Sequence, residues 1–377
     1  MSLGNRIAAE LRGDRTIWMI IAVLSLFSLL AVYSASGWEA WRARGGNTTV
    51  MFVAHMMRLA FGLFLIYLCH LLHYRQYQRI APILILACVP LLAFTLFYGR
   101  SINDAPRWIE VFGLSFQPSE MAKIALIIYI ARELTRKQDY ISSLKDAFMP
   151  IIIPVLLICG LIAPANLSSA LVLFVTCILL MFIGRVRAKY IFLLGLLGVV
   201  VFAGLIVIGQ MYPEADLVRV DTWASRMQIF LHSEDGGYQV QQAKIAIAKG
   251  GIIGQGPGNS IIRNFLPYAH ADFIYAIICE EYGLLGGTVV LVLYVLLFLR
   301  NVKLVTKSPK AFGAFLAIGL SLLLTVQALA NIAVNVNLVP ATGLTLPLIS
   351  MGGTSMLFTC ISLGMILSVS KFIEGLE

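Results

Sequence analysis

The chain has 377 residues, of which 59% are hydrophobic and 12% are charged. A soluble domain is about 45–50% apolar and about 25% charged, so the composition excludes a soluble protein and predicts an all-α polytopic membrane protein. The formal net charge of +9 does not predict a nucleic-acid partner, because the basic residues cluster at the ends of apolar segments, where they set membrane topology.

Ten apolar stretches approach the length of about 20 residues that crosses a bilayer. We predict spans at residues 17–36, 52–72, 80–98, 118–134, 147–163, 167–184, 190–210, 271–300, 311–334 and 347–370. The six cysteines lie inside apolar runs without C-x-x-C spacing, which predicts neither a disulfide framework nor a zinc site.

An even number of spans places both termini on one side of the membrane. With the termini inside, the short cytoplasmic connections carry several times more Lys and Arg than the short outer loops do, as the positive-inside rule requires. We therefore expect cytoplasmic termini and a large extracytoplasmic loop, about 211–271, between helices 7 and 8. Chemistry in that loop has no access to ATP or NAD.

Two charged features precede this loop. Arg58 falls about two turns inside the second span, where it is either a snorkelling side chain or a cationic phosphate ligand. At the fourth span, Pro118 suits a first helical turn, and Glu120 and Lys123 are spaced to pair on one face. Either the pair only makes the span insertable, or Lys123 faces a hydrated cavity as an anion ligand that Glu120 tunes. Arg107, in the preceding outer loop, is a further cation candidate.

The large loop mixes polar and apolar residues from Tyr238 to Lys249, which predicts an interfacial helix, and it carries the cations Arg219 and Arg226. No second soluble domain fits there, so residues 1–377 are expected to form a single transmembrane domain.

A glycine turn follows the interfacial helix, from Gly254 through Gly256 and Gly258 to Ser260. It is not a dinucleotide fingerprint, because no βαβ unit surrounds it. It is either a simple turn or a nest whose free N–H groups face an anionic head group.

Asp272 lies at the start of the eighth span, beside His270. A charge near hydrocarbon costs about 2.5–3.5 kcal/mol, which favours a functional role, and the alternative is a helix cap. In a straight helix, Glu280 would lie about 12 Å along the axis from Asp272, and Glu281 would lie on the side of the helix opposite Asp272. A catalytic carboxylate pair on this helix is therefore excluded, and Asp272 is predicted to act alone as a general base.

Glycine, proline, serine and threonine recur between Val339 and Ser355, and Ser350, Gly352 and Gly353 are among them. At membrane depth, irregular backbone survives only where it lines a cavity or is buried in protein. We therefore expect this segment to line a cavity.

These stretches together resemble the SEDS family of shape, elongation, division and sporulation proteins, over nearly the whole chain. The resemblance lies in Phe116-Gln-Pro-Ser-Glu120 with Lys123, the Gly254 to Ser260 turn, His270-Ala-Asp272-Phe-Ile, Glu280-Glu281-Tyr-Gly283, and Pro340 to Ser355. Gly343-Leu-Thr345-Leu-Pro347 is more similar to FtsW, the division member, than to RodA, the elongation member. Tyr268, Asn166 and Met351 depart from the family pattern, where Glu, Asp and Tyr are common.

The resemblance implies a peptidoglycan glycosyltransferase that polymerises lipid II into glycan strands at the outer face of the bacterial cytoplasmic membrane, releasing undecaprenyl diphosphate. It implies a class B penicillin-binding transpeptidase and other division proteins as partners, at the septum. A divalent cation, Mg²⁺ or Mn²⁺, is left open as a cofactor. The alternatives are a lipid II flippase and a non-catalytic scaffold of the division machinery.

The family's catalytic aspartate corresponds to Asp272. The residues expected to bind substrate are Lys123, Glu120, Arg107, Arg58, Arg219, Arg226, His270, Gly256, Gly258, Ser260, Ser350, Gly352 and Gly353.

Overall fold

The computed structural model describes residues 13–36, 48–102, 105–111, 114–211, 220–232, 237–266, 269–306 and 310–374. The first helices are α1 (Arg15–Ala35), α2 (Thr48–Leu71), α3 (Tyr74–Tyr98), α4 (Pro118–Arg136), α5 (Met149–Ile162), α6 (Leu167–Ile183) and α7 (Ala188–Met211). They are followed by α8 (Val220–His232), α9 (Tyr238–Gly250), α10 (Ile274–Thr306), α11 (Ala311–Asn335) and α12 (Thr354–Glu374).

Within the described ranges, seven helices are long and apolar enough to cross a membrane: α1, α2, α3, α5 with its preceding π-helical turn, α10, α11 and α12. The apolar helix α6 has 17 residues, and α4 carries charged residues including Glu120, Lys123 and Glu133. The all-α polytopic class is therefore confirmed. A helix lies at each predicted span, while the count of ten crossings stays a prediction.

The helices differ in how deeply they are enclosed. The buried share of the apolar stretch is 78% in α11 and 72% in α12, but only 22% in α2 and in α3. Buried side chains of α4, such as Ile127 and Ile128, belong to the same apolar core. The core of the bundle is thus built around α4, α11 and α12, and the peripheral helices leave apolar faces for lipid.

Two helix boundaries differ from the sequence prediction. Helix α12 begins at Thr354 rather than 347, because the chain before it is irregular and Leu348 and Gly353 have positive φ of 66° and 56°. Helix α3 begins at Tyr74 rather than 80, because its first turns are polar and a hydropathy criterion does not register them.

A small antiparallel sheet lies at one end of the bundle, which we call the sheet end. Its strands are β1 (Arg100–Ile102), β2 (Ala105–Val111) and β3 (Leu114–Phe116), in the order β1-β2-β3. The sequence analysis predicted a loop here, because strands of three residues are too short to give an alternating pattern. The sheet fixes the position of Arg107 ahead of α4.

Helix α9 forms where an interfacial helix was predicted, and it packs on α10. The approach is close: a Cβ at Gly250 would lie 1.9 Å from the carbonyl oxygen of Cys279. Helix α10 breaks its helical conformation at Gly283, with φ 68° and ψ −170°, where the glycine turn meets it. These contacts hold the segment between α7 and α10 against the bundle.

Candidate active site

A cavity of about 330 Å³ opens at the sheet end, bounded by β2, the start of α4 and the segments before α10 and α12. We call it the active-site cavity. The predicted residues that line it are Arg107, Glu120, Lys123, His270, Asp272, Gly352 and Gly353. Its volume falls in the range of about 300–1,000 Å³ that is usual for ligand pockets.

Asp272 is held in place through the backbone of its own segment. The carbonyl oxygen of Asp272 accepts hydrogen bonds from the side-chain amides of Asn331, at 2.8 Å, and Asn335, at 3.3 Å. The preceding carbonyl of Ala271 accepts from Ser350 Oγ at 2.6 Å, and that of His270 from the Met351 N–H at 3.0 Å. Consecutive carbonyls are thus bonded to α11 and to the loop before α12, which fixes the backbone that carries the carboxylate.

The Asp272 carboxyl faces the cavity and is partly exposed to it. Burial raises its pKa from 3.8 to about 6, although Arg226 and Arg107 act in the opposite direction. A carboxylate with a pKa near the working pH is better suited to accept a proton than an ordinary aspartate is.

The two arginines that act on Asp272 are each anchored by a backbone carbonyl. Arg107 Nε of β2 donates to the Ala165 oxygen at 2.7 Å, and Arg226 Nη1 of α8 donates to the Ala341 oxygen at 3.0 Å. Both guanidinium groups are therefore oriented without a substrate, which suits recognition of an anionic group.

Lys123 and Glu120 form an ion pair deep in the cavity wall, with 2.9 Å between Nζ and Oε1. Lys123 also donates to Gln327 Oε1 at 3.2 Å, and Ser355 Oγ donates to Glu120 Oε2 at 3.1 Å. Lys123 is only 3% exposed. The pair is thus neutralised and also lines the cavity, while the role of Lys123 as an anion ligand stays a prediction.

The nest interpretation of the glycine turn is wrong, because its donors are used within the protein. Ser260 Oγ donates to the Glu280 carboxylate. The N–H groups of Gly258 and Ser260 donate to the Glu281 carboxylate, and Gly256 N donates to the Glu281 backbone oxygen. These three predicted residues lie outside the lining of the active-site cavity and fasten the segment after α9 to α10.

The helical geometry assumed for the two glutamates also needs correction. Both carboxylates, at 0% and 1% exposure, accept hydrogen bonds from the same turn. Asp272 lies in a turn before α10 begins at Ile274, so a straight helix from Asp272 to Glu281 does not describe its first residues. The conclusion that neither glutamate pairs with Asp272 is unaffected, since neither lines the active-site cavity.

The remaining predicted residues occupy different places. Arg58 is exposed on α2 and does not line the active-site cavity. Ser350 is buried and acts on the Ala271 carbonyl. Arg226 lies near Asp272 but lines a neighbouring space. Arg219 lies outside the described residues, as does Tyr268.

Sequence analysis missed the roles of the amide side chains of α11. Gln327 bonds Lys123 and the Thr345 carbonyl, while Asn331 and Asn335 hold Asp272. Their spacing of four residues places the three amides on one face of an apolar helix. Polar groups at membrane depth are costly and mark function, so this pattern could have indicated the site. Asn166, a departure from the family pattern, caps α6 and lines the cavity.

In the described part of the chain, no group of three or more His, Cys, Asp or Glu residues is placed to hold a metal ion.

Comparison with known proteins decides the family. A model described as cell cycle protein, of the FtsW, RodA and SpoVE type, matches residues 14–374. The chain belongs to this family. The SEDS resemblance is therefore confirmed. Three residues of the motifs that carried it, Glu120, Lys123 and Asp272, line the cavity.

Relatives within the family are similar along their full length. The probable peptidoglycan glycosyltransferase FtsW of Geobacter sulfurreducens is 32% identical over 382 residues, covering 100% of both chains. Stage V sporulation protein E of Bacillus subtilis is 30% identical, over 95% of this chain and 97% of the relative.

Solved structures share the fold. A chain of a structure described as "Structural coordination of polymerization and crosslinking by a peptidoglycan synthase complex" superposes with a TM-score of 0.74 at 26% identity, covering 95% of this chain and 97% of the other. A variant of the rod shape determining protein RodA of Thermus thermophilus has a TM-score of 0.69 at 25% identity, with the same coverage.

Proposed function

We propose that the chain is a peptidoglycan glycosyltransferase that polymerises lipid II into glycan strands for cell division. The observation that carries the proposal is the position of the Asp272 carboxyl. It lines the cavity on a backbone whose carbonyls are hydrogen-bonded to Asn331 and Ser350, and two anchored arginines act on it. The full-length relatives named peptidoglycan glycosyltransferase FtsW support the reaction and the division role.

The reaction needs a base, a site for an anionic leaving group and a way to exclude water. Asp272 accepts the proton of the acceptor sugar's hydroxyl as its oxygen attacks the anomeric carbon of the donor. The bond between that carbon and the pyrophosphate oxygen breaks, and its electron pair leaves with the lipid pyrophosphate. Arg107 and Lys123 lie in the cavity where that charge develops, and preoriented cations there lower the barrier.

Membership of this family also supports a location in a membrane and a partner protein. We propose the bacterial cytoplasmic membrane, with cytoplasmic termini, an outer active site and action at the septum. The similar structure that couples polymerization to crosslinking in one complex supports a transpeptidase partner, of the class B penicillin-binding type.

Polymer formation tests the proposal. The purified full chain, in detergent with a candidate transpeptidase partner and fluorescent lipid II, is expected to give a ladder of glycan strands that lysozyme digests. A flippase would move lipid II across a vesicle bilayer and leave it unpolymerised, and a scaffold would do neither. Either of those results would overturn the proposal.

A further inference from the structure

A second space adjoins the active-site cavity at Asp272. A small pocket of about 40 Å³, which we call the passage, shares the lining residues Asp272, Gly343 and Leu344 with the cavity. The passage shares Arg226 and Gln239 with a chamber of about 220 Å³, which we call the second chamber. Asp272 therefore lies between two spaces and not at the end of one.

The second chamber differs from the active-site cavity in its chemistry. Among its described lining residues, the only charged side chain is Arg226, and that residue also lines the passage. The other polar side chains are neutral: the amides of Gln239 and Asn337 and the phenol of Tyr238, next to the ring of Phe230. Amides donate and accept hydrogen bonds at once, whereas a pyrophosphate needs cations as partners.

The chamber is also small. Its volume is below the roughly 300–1,000 Å³ of pockets that bury a drug-sized ligand, so it accommodates a fragment of about one sugar ring rather than a whole lipid-linked substrate. Its walls come from α8, the start of α9 and the loop after α11. These elements belong to different parts of the chain, and a ligand in the chamber would bridge them.

We propose that the second chamber binds the neutral sugar of the acceptor and presents its hydroxyl to Asp272 through the passage. This inference rests on the proposed function, and it assigns the donor and the acceptor to different spaces. The donor's pyrophosphate lies in the active-site cavity, near Arg107 and Lys123. In a direct displacement the attacking oxygen and the leaving oxygen lie on opposite sides of the anomeric carbon. A base between two spaces meets that requirement: the acceptor oxygen forms the new bond, its proton passes to Asp272, and the electron pair of the broken bond leaves with the pyrophosphate.

The test measures donor and acceptor use separately, with two substrates that together form one bond per turnover. The donor is lipid II with its acceptor hydroxyl methylated, and the acceptor is a lipid II analogue whose sugar–phosphate oxygen is replaced by a methylene group. Gln239→Leu removes the amide at nearly constant size, and Ile229→Trp fills the chamber from α8, where Ile229 is 41% exposed. Gln242→Leu is the matched control, since Gln242 is on the same helix and lines neither space.

Gln239→Leu is expected to raise the KM for the acceptor about tenfold, as the loss of one or two neutral hydrogen bonds does. Ile229→Trp should raise it at least as much, because the indole occupies the space of the sugar. The KM for the donor and the rate at saturation should stay within about threefold of wild type, and Gln242→Leu should match wild type. An unchanged acceptor KM in both variants, or a raised donor KM instead, would overturn the assignment while leaving the polymerase intact. Failure of the wild-type protein to join the two substrates would overturn the proposed function itself, and the acceptor site with it.

Discussion

Lys123→Met separates the structural part of the Glu120–Lys123 pair from its functional part. The substitution leaves the Glu120 carboxylate in a wall where its side chain is 9% exposed, with Ser355 as its remaining hydrogen-bond donor. Removing one partner of a buried ion pair costs about 3–5 kcal/mol, because the other charge stays buried and uncompensated. Lys123→Met should therefore lower the free energy of unfolding by about that amount.

The double variant Glu120→Gln with Lys123→Met removes both charges. Replacing a buried pair with neutral groups of similar volume is often close to neutral, so its cost should be about 1 kcal/mol or less. The coupling energy between the two positions would then be at least about 2 kcal/mol. Denaturant unfolding in detergent measures stability, and polymerisation rate per mole of folded protein measures function.

Lys137→Met on the same helix is the matched control. Lys137 pairs with Glu133 at 3.2 Å, but Glu133 also has Arg136 at 3.5 Å, so the carboxylate keeps a partner and the cost should be about 1 kcal/mol or less. If Lys123 binds the pyrophosphate, the double variant will be folded and inactive. Full activity in a folded double variant would show that the pair is only structural. A cost below about 1 kcal/mol for Lys123→Met alone would refute the argument from burial.

Three further results are expected. Because Asp272 must be ionised to accept a proton and its pKa is about 6, kcat/KM should fall about tenfold per pH unit below pH 6, and a flat profile from pH 5 to 7 would contradict this. In a cysteine-free background, Lys249→Cys should react with an impermeant thiol reagent in spheroplasts, while Arg187→Cys should react only after lysis; the reverse pattern would invert the topology. Glu280→Ala removes the acceptor that Ser260 uses and should destabilise the fold by about 1–3 kcal/mol, so unchanged thermal melting would contradict the fastening role.

Sequence patterns predicted the helices well, because apolar runs of about 20 residues are a strong and local signal. They could not define the start of α12, where Leu348 has a positive φ and the neighbouring Pro347 carbonyl accepts a hydrogen bond from the distant Tyr294 hydroxyl. They also missed the short strands around Arg107, which alternate over too few residues to be recognised.

Some contacts of the candidate site were likewise predictable from the sequence, and others were not. Glu120 and Lys123 are three residues apart, so their pairing was predictable from helical spacing. The partners of the glycine turn were not, since Glu280 lies 20 residues from Ser260 and meets it only after the chain folds back. Nor does local spacing reveal that Asn331 of α11 holds the Asp272 backbone.

The central claim is that Asp272 acts as a base, and its raised pKa predicts an unusual result for Asp272→Asn. A carboxyl with a raised folded-state pKa favours the fold in its neutral form, and that contribution is complete below pH 3.8 and lost as the pH rises through about 6. At pH 7.5 the ionised group opposes folding by at most about 3 kcal/mol, at about 1.4 kcal/mol for each pKa unit. Asparagine stays neutral at every pH, so the variant should be as stable as wild type or more so.

Lipid II polymerisation by purified Asp272→Asn, measured beside wild type at pH 7.5 together with thermal melting, is therefore the most direct test. The predicted result is a folded protein with undiminished melting temperature and no detectable glycan polymer. Substantial polymer from Asp272→Asn would contradict the assignment of Asp272 as the catalytic base.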